Sequence, residues 1–147
     1  MARRELSAYD RALRLLTARP RSRSRLEERL RDAGHPAAEV EAALARVTAL
    51  GYLDDRAFAR SQAEALLARF SPRAVELKLT ALGLPPQLAA EAVAALQADE
   101  SALARSILEK RFGRGPLEGK AAAKAARFLL GRGFDEDLVE KLVGVRD

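Results

Sequence analysis

Few residues in this chain are placed to do chemistry, and each can be weighed against the partners its chemistry needs. Asp54 and Asp55, in Gly51-Tyr-Leu-Asp-Asp55, are adjacent carboxylates of the kind that hold a divalent cation. A two-metal nuclease centre needs more ligands than a pair, and no histidine or further carboxylate stands beside these two in sequence. The stretch Phe112-Gly-Arg-Gly-Pro-Leu-Glu-Gly-Lys120 resembles a phosphate-cradling loop, but Arg114 stands where the pattern needs glycine and Ala121 where it needs Ser or Thr. The single histidine, His35, has no visible catalytic partner, and with no cysteine there is no thiol nucleophile, disulfide framework or cysteine metal site. What remains is arginine. Of 26 basic residues 21 are arginine, beginning with the run Arg19-Pro-Arg-Ser-Arg-Ser-Arg25. Its planar fork pairs bidentately with phosphate or carboxylate, so the chemistry in view is anion recognition.

The elements that position these residues follow from a repeat. Leu30-x-x-x-Gly34, Leu79-x-x-x-Gly83 and Leu129-x-x-x-Gly133 share one spacing, and the glycines lie 49 and 50 residues apart. Leu26, Val75 and Ala125 lie eight before each glycine; Val40, Ala89 and Val139 lie six after it, and Leu44, Val93 and Val143 ten after it. Steps of four on both sides predict two successive helices with the glycine as a C-cap between them. Ser22 or Ser24, the latter with Glu27 as a capping box, and Ser71-Pro72 open the first of each pair; Pro36, Pro85-Pro86 and Asp135 to Asp137 open the second. Amphipathic segments near 7–18, 55–69 and 99–111 precede the pairs and complete three-helix units. The expected fold is all-α, with no strand: three tandem three-helix repeats, 1–51, 52–98 and 99–147, in an elongated array, the third interrupted by Gly113-Arg-Gly-Pro116.

Asp54-Asp55 then falls at a hand-over between helices. Either residue serves as N-cap of the next helix, Gly51 ends the preceding one, and Tyr52 and Leu53 are expected to pack at the joint. His35 occupies the position of Leu84 and Phe134, that of a partly buried interface residue.

Charge follows the same period. Net charge is +6 over residues 1–31, −4 over 32–55, +3 over 56–78, −3 over 79–100, +6 over 101–132 and −3 over 133–147. The first two helices of each unit are basic and the third acidic, which in a stacked array gives a positive strip suited to an extended polyanion. The residues expected to carry it are Arg21, Arg23, Arg25, Arg69, Arg73, Arg111, Arg114, Lys120 and Lys124. Phe70 and Phe112 alone lie near the strip, so base stacking is not indicated. No apolar run approaches the ~20 residues that cross a bilayer, and the N-terminus lacks a secretory stretch, so a cytoplasmic protein with no membrane contact is expected.

The stretch Gly51-Tyr-Leu-Asp-Asp-Arg-Ala-Phe-Ala59, the Arg-Ser-x-x-x-Leu-x-x-x-Leu of 21–30 and Arg127-Phe-Leu-Leu-x-Arg-Gly-Phe134 together resemble the RecX family of regulatory proteins, over essentially the whole chain. Phe70-Ser71-Pro72 stands where family members commonly carry a glycine-containing basic turn. The resemblance implies a curved array of three three-helix repeats, no enzymatic activity and no cofactor. It also implies a RecA filament as partner, bound in the groove or at the growing end, with filament extension, ATP hydrolysis and strand exchange reduced. Single- and double-stranded DNA would be met through phosphates, by a monomer. The rival reading is an independent helix-turn-helix DNA-binding protein; a metal-dependent nuclease built on Asp54 or Asp55 is the more distant one.

Overall fold

A computed structural model describes residues 5–144, so the outermost residues of the first and third expected repeats lie outside the described residues. Among the described residues there are nine helices and no strand: α1 Ala8–Ala18, α2 Arg23–Asp32, α3 Ala37–Ala49, α4 Asp55–Leu67, α5 Pro72–Ala81, α6 Pro86–Ala95, α7 Glu100–Phe112, α8 Gly119–Gly131 and α9 Glu136–Val143. Starts are set by short polar caps. Ser7, Ser22, Asp54, Ser71, Asp99 and Asp135 each accept a backbone N–H three residues on, at 2.8 to 3.3 Å. Pro36 and Pro85 open α3 and α6 without a side-chain cap, their fixed φ suiting the entry. Ser22 is the cap of α2, and the capping box expected from Ser24 and Glu27 does not form. Glu27 instead pairs with Arg31 at 2.7 Å.

The apolar positions that recur around the glycines are all buried, and they gather in three clusters. One is built on Leu26, Leu30, Val40 and Leu44, one on Val75, Leu79, Ala89 and Val93, one on Ala125, Leu129, Val139 and Val143. In each, three consecutive helices close over a small core rich in alanine and leucine. Fully burying a leucine or valine side chain contributes about 1.5–3 kcal/mol. Leu103, at the start of α7, packs against both the second and third clusters and so ties them.

Two joints connect the bundles, at equivalent positions of the repeat. At the first, the N-terminus of α2 meets the C-terminus of α5: Ser22 Oγ donates to the Leu82 carbonyl at 2.8 Å and Ser24 Oγ to that of Gly83 at 2.6 Å. At the second, the N-terminus of α5 meets the C-terminus of α8, where the Ser71 backbone N–H donates to the Arg132 carbonyl at 2.9 Å. Both Ser22 and Ser71 are fully buried. Helices α2, α5 and α8 therefore run head to tail, the positive end of each dipole set against the negative end of the next. Such close approach excludes a side chain: a Cβ on Gly83 would lie 2.3 Å from Ser24 Oγ, and one on Gly133 2.5 Å from Ser71 Oγ.

Candidate nucleic-acid interface

Each joint leaves a cleft beside it. The first, about 530 Å3, is lined by Arg19, Arg21, Arg25 and Arg29 together with Glu28, Asp32, Phe58, Gln62 and Leu82. Arg21, half-buried in the turn between α1 and α2, is fixed by its Nε donating to the Leu15 carbonyl at 3.1 Å. Burial, with Arg19 and Arg29 adding like charge, holds its guanidinium below the ordinary arginine value. A cation crowded in this way gains from an anion. Arg25 is committed elsewhere, one Nη donating to the Ala81 carbonyl at 2.7 Å and the other to Glu28 at 3.0 Å.

At the second joint the cleft is smaller, about 200 Å3, and lined by Ala68, Arg69, Ile107, Lys110, Arg111, Phe128 and Arg132. Four of those seven side chains are cationic and none is acidic. Aromatic rings hold the cations in place. The Arg132 guanidinium lies 4.9 Å from the centres of both the Phe70 and Phe128 rings, and Arg111 lies 5.4 Å from that of Phe128. Arg69 and Lys78 face Phe70 at 5.3 and 4.2 Å, and Phe112 meets Phe128 edge-on at 5.7 Å. With cations already on the ring faces, these phenylalanines position charge rather than stack bases. Each contact is worth about 0.5–1 kcal/mol at an exposed site.

The clefts lie at equivalent joints, and two of the positions there can be compared directly. Phe70 stands 49 residues after Arg21, and Arg132 stands 50 after Leu82. One joint pairs an arginine from the turn with a leucine from the helix end; the other pairs a phenylalanine from the turn with an arginine from the helix end. Each pair thus contains one arginine, taken from the turn at the first joint and from the helix end at the second. Arg132 was for that reason not among the expected strip residues, nor were Arg19, Arg29 and Lys110.

Of the nine expected residues, Arg21 and Arg25 line the first cleft and Arg69 and Arg111 the second. Arg73 opens onto a different groove, beside Leu77 and Glu100. Arg114, 88% exposed, pairs with Glu109 at 3.5 Å, and Arg23 pairs weakly with Glu41 at 3.5 Å. Lys120 and Lys124 are exposed on α8. Four of the nine thus line the two clefts and the other five lie outside them.

Asp54 and Asp55 have separate duties. Asp54 Oδ1 accepts the Ala57 N–H at 3.1 Å and caps α4, while Asp55 Oδ1 accepts the Arg23 N–H at 2.8 Å and so caps α2 across the joint. At the second joint Pro72 takes the place of Arg23 and has no N–H to offer, which leaves Glu100, the counterpart of Asp55, without that role. Gly51 has φ +83 at the end of α3. Tyr52 is 59% exposed, so it does not pack at the joint as expected; Leu53, 4% exposed, alone fills that place in the core. His35 is partly buried, its Nε2 accepting from Arg11 Nε at 3.0 Å. Among the described residues no three His, Asp or Glu side chains cluster as a metal site would need, and no helix is long and apolar enough to cross a membrane.

The comparisons with known proteins match this architecture. Residues 8–46 match the family model for the first three-helix domain of RecX and residues 98–143 that for the third. The Regulatory protein RecX of Leptothrix cholodnii is 33% identical over 99% of this chain and 92% of its own length. The chain belongs to the RecX family. A Regulatory protein RecX of Thermus thermophilus is 42% identical over 88% of this chain and 84% of its own. In fold, the crystal structure of RecX from Lactobacillus salivarius is similar at a TM-score of 0.75 and 20% identity, covering 93% of this chain and 92% of that one.

Proposed function

We propose that this RecX protein is a negative regulator of a RecA recombinase, binding the RecA–DNA filament to limit its extension, ATP hydrolysis and strand exchange. The observation that carries this reading is the pair of cation-lined clefts at equivalent joints, one repeat apart. A small anionic ligand needs one such site, whereas a polymer with a repeating anionic surface engages both at once. Phosphates of single- or double-stranded DNA fit guanidinium groups held by carbonyls and rings, and the second cleft's rings, already faced by cations, favour backbone contact there over base stacking. In this reading the protein acts as a cytoplasmic monomer without cofactor, and Asp54 and Asp55 serve as caps, each accepting a backbone N–H, rather than as catalytic groups.

The test is the single-strand-dependent ATPase of the cognate RecA during titration with this protein, with binding of the same DNA alone measured at matched salt. Inhibition at levels too low to occupy free DNA supports filament control. Inhibition only once the DNA is saturated, or none, overturns it and favours an independent DNA-binding protein.

A further inference from the structure

The two joints serve as controls for one another, and they differ in the first turns of α2 and α5. At the first joint polar side chains bridge the gap: Ser24 and Arg25 reach across to the carbonyls of Gly83 and Ala81, and Arg25 and Glu28 also line the cationic cleft there. At the second, Arg73 and Ala74 stand in those places, and alanine has no donor to close the gap. What results is an open groove of about 490 Å3 lined by Leu77 and Leu130 together with Arg73, Glu100 and Asp135. Leu77 is 66% exposed and Leu130 41%. Their counterparts at the first joint, one repeat earlier in α2 and α5, are Glu28 and Thr80. The joint therefore forms without leucine at either position, and the apolar pair is not needed to hold the array together.

The groove and the second cationic cleft share no residue. Phe128 and Leu130 are two positions apart on α8, about 200° around the helix, so they face opposite sides. The charge of the groove is also opposite in sense. Glu100 and Asp135 flank the leucines, with Arg73 as the single cation. Phosphate is repelled from such a rim, while an apolar side chain accompanied by Lys or Arg is complementary to it.

We propose that this groove is a protein-docking site that takes a segment of a partner protein bearing an apolar side chain next to a basic one. The proposal rests on the function put forward above and divides its labour: the clefts meet DNA phosphates, the groove meets the filament protein.

The test exchanges the groove for its first-joint counterpart. The double variant Leu77→Glu/Leu130→Thr alters exposed side chains only, and its fold is checked by circular dichroism and melting. It is compared with the wild type for inhibition of the RecA ATPase, for binding to oligothymidylate without RecA, and for mass by sedimentation. The expected result is inhibition weakened by about tenfold or more, as for loss of a buried anchor, with DNA binding kept within about twofold. Inhibition unchanged in the variant overturns the groove while leaving the functional reading in place. An inactive wild type overturns both. A parallel loss of DNA binding assigns the groove to nucleic acid, and a wild-type dimer that the variant dissolves assigns it to a second copy of the chain; either result overturns the proposal.

Discussion

Gly34 and Gly83 occupy the same position after α2 and α5, with φ of +92° and +95°, yet only one of them is at a joint. A methyl group added at Gly34 meets nothing within 4 Å, whereas at Gly83 it meets Ser24 Oγ at 2.3 Å and Ser22 Oγ at 2.8 Å. Gly34→Ala and Gly83→Ala therefore share one backbone penalty, about 1–2 kcal/mol for a left-handed L-residue, which cancels when the two are compared. The difference between them isolates the joint. Gly83→Ala must also displace two hydroxyls that donate to the Leu82 and Gly83 carbonyls, bonds worth about 1 kcal/mol each. The expected excess is thus about 2 kcal/mol, or a shift of about 1 M in the urea midpoint for a slope near 2 kcal/mol/M. Urea unfolding of both variants followed by circular dichroism reads it directly. Equal destabilisation, within about 0.5 kcal/mol, would show that the joint contributes nothing and would refute the head-to-tail packing argument.

Asp55→Ala is expected to cost about 1–2 kcal/mol through the lost cap on α2, and far less in an Arg23→Pro background, where the donor is gone as it is at Pro72; a double-mutant cycle by urea unfolding measures the coupling. Arg132→Ala should weaken DNA or filament binding and lower the slope of log affinity against log salt by about 1, while Arg114→Ala, at a side chain 88% exposed and paired with Glu109, should change neither; titration at three salt concentrations decides. The depressed Arg21 value has a defined sign: the unfolded state holds that proton more tightly, so crowding costs stability at every pH below the folded-state value and is relieved only as pH rises through it. The Arg21 contribution should accordingly not vary with pH between about pH 6 and 9, and oligothymidylate should raise the melting temperature of the wild type more than that of Arg21→Gln, as thermal melts with and without the oligonucleotide would show.

Helices, their caps and the three small cores were legible because each is written in local spacing: Leu30, Leu79 and Leu129 four before a glycine, Ser22 and Ser71 at helix starts. The joints were half legible. A buried serine at a cap and a glycine at a C-cap are both visible, but nothing local says that the serine of one unit touches the glycine of the next. Arg132 was missed for a physical reason. Searching for cations at equivalent positions assumes that charge is kept residue by residue, whereas the second cleft takes its arginine from the helix end and puts Phe70 where Arg21 would be. Tyr52 was misplaced because an aromatic at a helix junction was assumed to be buried, when Leu53 alone suffices to fill the gap. Asp55 was legible as a cap but not as the cap of a helix in the preceding bundle.

Basic residues gather at both joints, from the start of α2 at the first and from the ends of α7 and α8 with Arg69 at the second, so each joint carries a cationic cleft. Three bundles have two joints and hence two clefts. Outside the two joints, Gly34 faces open space, and α8 begins at Gly119 without a side-chain cap, with Lys120 and Lys124 exposed. Two linked clefts bind a polymer differently from two independent sites. If both engage one filament, the second contact occurs at an effective concentration that raises affinity by about 10²–10⁴, and removing either cleft forfeits that factor. Independent clefts would leave the survivor's affinity intact and change apparent binding by no more than about twofold. Charge reversal of Arg21 with Arg29, or of Arg111 with Arg132, should therefore each collapse filament binding nearly as far as reversal of all four, and equilibrium binding of the three variants distinguishes the two cases.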